Sequence, residues 1–181
     1  SSKYFMPGFS YGGSCLPKDL EAFKAISSAN NVKSPIIDSI DNSNHAHDDF
    51  VYEKVISFKK KSIGVMGLTF KKDTDDLRSS PSLKLCERLQ QDGVGLKIYD
   101  ENVSLSTLMG KNKDYLLNNL PHIEKLIFDD INDFLENLEL IVIVHLYDNI
   151  QKKLEKLDDQ IIIIDIASSD ILSNKTNYNG L

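Results

Sequence analysis

"LELIVIVHLYD", residues 138–148, is the stretch on which the fold turns. Its leucine, isoleucine and valine side chains follow one another without polar alternation, and β-branched residues favour a pleated backbone. A half-exposed strand would alternate apolar with polar, so the run predicts a strand buried on both faces. "DQIIIIDIASS" at 159–169 repeats the pattern, and "KSIGVMGLTF" at 61–70, "GLKIYD" at 95–100 and "KLIFDD" at 125–130 predict three further strands. Between the first two lies "SPSLKLCERLQQDG", in which Leu83, Cys86 and Leu89 share one helical face and Gly93 supplies the stop. Doubly buried strands separated by helices read as a parallel sheet, an α/β, Rossmann-like layer with flanking helices.

Upstream of that layer the pattern is helical. "PKDLEAFKAISSAN" at 17–30 carries Leu20, Phe23 and Ile26 at amphipathic spacing, with Pro17 suited to a first turn. Ser34-Pro35 opens a second helix, whose apolar positions run from Ile36, Ile37 and Ile40 to Phe50, Val51, Val55 and Ile56. Its middle, "DNSNHAHDD", is polar, and His45 and His47 read as a solvated face because a two-residue separation is poor metal-ligand geometry on a helix. Residues 1–57 are therefore expected to form a helical segment carrying a cysteine loop, and 58–181 the α/β domain. The chain enters a glycine-rich loop with no element before it, which is expected of a piece of something longer.

The 181 residues, 41% hydrophobic and 27% charged, suffice for a substantial core. Twenty-one basic against twenty-seven acidic side chains give a net charge of -6, which argues against nucleic acid or an anionic membrane as partner. No apolar run approaches the roughly 18 residues of a membrane span, and no signal-peptide core is present, so a cytoplasmic location is expected. Two cysteines far apart do not make a disulfide framework. Cys86 fits core packing.

Cys15 has different surroundings. It follows Gly12 and Gly13 in "GFSYGGSCLPKDLEAF" (8–23) and precedes Pro17, Lys18 and Asp19. The glycines let backbone approach a ligand, and the start of a helix together with Lys18 puts positive potential at the sulfur, the setting of a nucleophile. The second candidate is the loop after the first predicted strand, "TFKKDTDDLRSSP" at 69–81, which gathers Lys71, Lys72 and Arg78 ahead of a helix that Ser79 or Ser80 can cap. Cations beside a helix N-terminus suit phosphate. A solvated loop whose Asp73, Asp75 and Asp76 neutralise its own lysines is the alternative. Gly64 and Gly67 lack the third glycine of a dinucleotide fingerprint.

Taken together, "GFSYGGSCLPKD" resembles the active-site cysteine signature of the nucleotide-sugar 6-dehydrogenases, and "GLTFKKDTDDLRSSP" resembles their second signature, at the opening of the nucleotide-binding carboxyl-terminal domain. Within the family, "GKNKDYLLNNLPHIEKL" and "TDDLRSSP" are similar to the branch acting on GDP-mannose, although Met6 and Lys3 stand where that branch has arginine and tyrosine. The resemblance covers the chain but only the carboxyl-terminal part of the family's architecture. It implies NAD as cofactor, no metal, and GDP-mannose or a UDP-sugar as substrate, oxidised to a uronic acid that serves surface polysaccharide. Cys15 would be the catalytic nucleophile, forming a thiohemiacetal and then a thioester, with Asp19 as a polar neighbour. Lys18 and Arg78 would contact the dinucleotide. Tyr4, Phe9, Gly12 and Lys71 would line the nucleotide-sugar site, and the helix at 34–58 would join two subunits of a homodimer. A non-catalytic nucleotide-binding module of the same fold is the rival reading.

Overall fold

A computed structural model of the chain describes residues 8–104, 114, 116–118, 120, 122–169 and 171–181. Five strands, β1 (Ser62–Met66), β2 (Gly95–Tyr99), β3 (Leu140–Ile143), β4 (Ile162–Asp165) and β5 (Tyr178–Gly180), form one sheet in the order β2-β1-β3-β4-β5. Every neighbouring pair is parallel. The described helices are α1 (Leu16–Ala29), α2 (Pro35–Ser57), α3 (Pro81–Gln91), α4 (Ile131–Leu135) and α5 (Gln151–Glu155). This is the α/β, Rossmann-like sheet with flanking helices that the apolar runs predict.

All of β3 is buried, and its period of two divides it between two core layers. Leu140 and Val142 face one layer with Ile63, Val65 and Ile98, closed by Val51 and Val55 of α2 and by Leu83, Cys86 and Leu89 of α3. Ile141 and Ile143 face the other with Met66 and Ile163, closed by Phe134 of α4 and Leu154 of α5. A sheet covered on both sides needs apolar residues at every position, which is why the run at 138–148 does not alternate. Cys86 is buried as core, and burial pushes its thiol well above the ordinary range. Gly93, at φ +74°, ends α3 in the left-handed conformation glycine tolerates.

Three expectations are corrected. "KLIFDD" is not a strand: Ile127 makes one isolated bridge to Ile98, and three residues further on Asp130 accepts the N–H groups of Asn132 (2.7 Å) and Asp133 (3.2 Å), turning the chain into α4. The remaining strand, β5, lies instead in the polar sequence "YNG", at the sheet edge beside β4. The apolar stripe of α1 buries nothing, since Leu16, Phe23 and Ile26 are all exposed. No described helix is long and apolar enough to cross a membrane.

Candidate functional site

The sheet order reverses direction at β1, whose neighbours β2 and β3 are reached on opposite sides, and crevices beyond the carboxyl ends of strands at such points take ligands. A cleft of about 900 Å³ opens there, lined by residues following β1, β3 and β4, among them Lys71, Lys72, His145 and Ser169, and by Phe9 of the cysteine loop. Its floor is the turn at 67–69, where side chains satisfy most of the backbone polar groups. Asp100, buried at the end of β2, accepts the N–H groups of Leu68 (2.7 Å) and Thr69 (3.2 Å). Ser82 donates to the Gly67 carbonyl, Ser80 to that of Leu68 (2.7 Å), and His145 Nε2 lies 2.8 Å from that of Thr69. Gly67 sits at φ +95°, and a Cβ there would meet the His145 backbone nitrogen at 2.7 Å.

The cationic turn follows. Of the two capping serines Ser80 serves, accepting the Leu83 N–H at 3.3 Å, with Pro81 in the first turn of α3. Arg78 forks onto Asp76, Nε to Oδ1 at 2.9 Å and the terminal nitrogen to Oδ2 at 2.7 Å. Lys72 turns instead to Asp148, 3.4 Å away. Lys71 lines the cleft with no ion pair among the described residues. Hydrogen bonds from the Arg78 guanidinium, and next from its backbone N–H, hold Asp76 below the usual carboxylate range, and the Lys61 and Ser62 N–H groups do the same for Glu139. A carboxylate with a depressed folded-state pKa contributes stability that is present above its unfolded pKa and lost as pH falls through the folded one. The urea midpoint is therefore expected to drop on acidification below about pH 4. Asp76→Asn should flatten part of that fall, and a midpoint constant from about pH 5 to pH 2 would contradict the assignment.

The cysteine loop rests on this turn. The Gly13 N–H donates to the Arg78 carbonyl at 3.0 Å. A Cβ on Gly12 would run into the Ser79 carbonyl oxygen and lie 3.1 Å from the Pro81 ring, so only glycine allows the two segments to press together. Gly13 adopts φ +81° over the Phe70 ring. Gly12→Val is expected to cost about 1–3 kcal/mol through overpacking against backbone that cannot swing aside. Urea unfolding measures this, and an unchanged midpoint would mean the loop seats without that contact.

Cys15 immediately precedes α1 and is exposed, with the Ser14 hydroxyl 3.8 Å from its sulfur. It lies close enough to Arg78 to add, after Asp76, to the forces that favour the charged guanidinium. Lys18 and Asp19 are exposed on the first turn of α1, 3.8 Å from each other, and the Asp19 side chain does not cap the helix. The structure thus brings Phe9 and Lys71 together in the cleft, and through Gly12 and Gly13 it presses the Cys15 loop onto the turn that carries Arg78, while Lys18 and Asp19 stand exposed on α1. Tyr4, Met6 and Lys3 lie outside the described residues, as does much of "GKNKDYLLNN". Among the described residues no group of three His, Cys, Asp or Glu side chains is arranged to hold a metal ion.

The polar middle of α2 departs from its expected role. His45 remains exposed, but His47 Nε2 lies 3.1 Å from the Gly8 carbonyl, and its ring meets Phe9 edge-on at 6.2 Å. Asn44 and Asp41, one turn apart, also reach the cysteine loop.

The profile of the UDP-glucose/GDP-mannose dehydrogenase family, UDP binding domain, matches residues 64–169, and that of the family's central domain matches residues 1–46. The chain belongs to this family. The GDP-mannose 6-dehydrogenase of Pseudomonas putida is 40% identical over 143 residues, covering 78% of the chain and 33% of the relative. That of Pseudomonas savastanoi pv. phaseolicola is 33% identical over 180 residues, covering 99% and 41%. Among solved structures, a ternary complex of GDP-mannose dehydrogenase from Pseudomonas aeruginosa superposes with a TM-score of 0.88 at 30% identity, covering 99% of the chain and 41% of that structure. The chain thus spans about two fifths of the length of the family members it matches, or less. The cysteine loop falls within the central-domain match and the cationic turn within the UDP-binding match.

Proposed function

We propose that this chain is the carboxyl-terminal part of an NAD-dependent nucleotide-sugar 6-dehydrogenase of the GDP-mannose type, with residues 1–57 belonging to its central region and 58–181 to its nucleotide-sugar domain. The observation that carries this is the bond from the Gly13 N–H to the Arg78 carbonyl, which holds the loop bearing Cys15 against the cationic turn. In this reading Lys71, Phe9, Tyr4 and Gly12 line the nucleotide-sugar site, where a diphosphate would meet the Lys71 ammonium. The guanidinium of Arg78 and the ammonium of Lys18, both largely exposed beside Cys15, suit an anionic dinucleotide.

The chemistry NAD supplies when bound is acceptance of one hydride per molecule, the first NAD taking it from the sugar alcohol and a second, bound in turn, from the thiohemiacetal. Cys15 Sγ adds to the carbonyl carbon of the intermediate aldehyde, and the thiol proton passes to the carbonyl oxygen. Once the adduct is oxidised, water attacks the thioester, the S–C bond breaks, and the carboxylate leaves while the sulfur regains its proton. Asp19 is a polar neighbour in this scheme. The product would be an activated uronic acid for a surface polysaccharide, made in the cytoplasm. The exposed apolar residues Phe23 and Ile36 on α1 and α2 support a homodimer, since a second copy would cover them.

Assaying the full-length enzyme for NADH at 340 nm with GDP-mannose and several UDP-sugars tests the reading. GDP-mannose is expected to give the highest kcat/KM, and silence with every nucleotide sugar would overturn it.

A further inference from the structure

The amide of Asn44 is spent entirely on one residue of the cysteine loop. Its Oδ1 accepts the Tyr11 N–H at 2.9 Å, and its Nδ2 donates to the Tyr11 carbonyl at 3.1 Å, as a neighbouring strand would. The backbone carbonyl of Asn44 accepts the Ser10 hydroxyl at 3.2 Å. One turn earlier, Asp41 accepts the Tyr11 phenol at 2.6 Å and is also paired with Lys24 of α1. Partial burial, then the bond to Asp41, pushes that phenol up to about 12, so it remains a donor at neutral pH. Two residues after Tyr11, Gly13 is tied to Arg78. The loop is thus gripped on both sides of Gly12, by α2 before it and by the cationic turn after it. Two glycines in succession leave that stretch with almost no conformational preference of its own.

We propose that Asn44 is a positioning residue that fixes the Cys15 loop against the α/β layer, so that the sulfur is in place to capture the aldehyde before it leaves. This rests on the dehydrogenase reading above, because only a two-step oxidation has an aldehyde to retain. Asn44 touches no reacting atom in this scheme. It acts through Tyr11 and the glycine pair, and its loss converts a held sulfur into one that samples many positions.

Amide exchange of the 181-residue chain, followed by NMR, tests the physical part without any turnover. In Asn44→Ala the Tyr11 and Gly13 amides are expected to exchange at least tenfold faster while those of β1 and β3 keep their protection. Gly13 exchange unchanged beside a faster Tyr11 would overturn the proposal. Should Asn44→Ala lose the protection of β1 and β3 too, Asn44→Asp takes its place. That variant keeps the acceptor for the Tyr11 N–H but sets a carboxylate against its carbonyl, and the same two amides decide. In the full-length enzyme Asn44→Ala is expected to fall from two NADH per sugar nucleotide toward one, with free aldehyde trapped by a hydrazine. Two NADH per sugar with unchanged kcat would refute the positioning role. Wild-type enzyme that makes no NADH at all would fail the functional reading instead, leaving the Gly13 amide to decide whether the clamp exists.

Discussion

Cys15→Ser in the full-length enzyme is expected to lower uronic-acid formation by at least about a thousandfold, the scale on which loss of a covalent nucleophile is felt. That corresponds to about 4 kcal/mol of barrier. In the proposed scheme sulfur is required because it adds readily to a carbonyl carbon and leaves easily from a thioester, whereas a serine hydroxyl at the same place is both a weaker nucleophile and a poorer leaving group. The nearest side-chain partner of the sulfur is the Ser14 hydroxyl, which is no base. The first oxidation does not need the sulfur, so the variant should stop at the aldehyde with one NADH per substrate. Chromatography of the products separates aldehyde from uronic acid. A variant making uronic acid at more than about a tenth of the wild-type rate would exclude Cys15 as nucleophile.

Phe134→Ala is expected to destabilise the chain by about 3–5 kcal/mol. The ring is fully buried in the layer under α4, 5.6 Å from the Tyr99 ring, and it fills the space left by the missing side chain of Gly64, whose Cβ would lie 2.8 Å from it. Deleting it opens a cavity that the β1 backbone cannot close. Against a total of about 5–15 kcal/mol for a typical domain, this removes about a fifth or more of the folding free energy. Urea denaturation followed by circular dichroism reads the change directly. A loss under about 1 kcal/mol would mean that this layer is loosely packed.

The parts of the fold that were legible were those set by burial on two faces. The runs at 138–148 and 159–169 could satisfy their backbones and hide their side chains only inside a covered parallel sheet, and β3 and β4 are there. "KLIFDD" shows the limit of the same reasoning. Its apolar residues are compatible with a strand, but Asp130 caps a helix three residues after the single bridge at Ile127, before a ladder forms. Strand β5 was illegible for the opposite reason, since at the sheet edge its polar residues are held by backbone pairing and by the Tyr178 hydroxyl on Asp165. At the candidate site, glycine spacing and the local charge of 71–78 drew attention to the two loops. What spacing could not show was that Asn44 and His47 spend their polar groups on backbone some thirty-five residues away. A polar side chain whose partner is main chain leaves no complementary residue in the sequence to point to it.

Helix α2 carries a consequence beyond its packing. It is a single unbroken element of 23 residues, about 34 Å long, that holds the cysteine loop near its middle and plants Val51 and Val55 in the core near its end. Loop and sheet are therefore pinned to one shaft, and no relative swing between them is available without unwinding it.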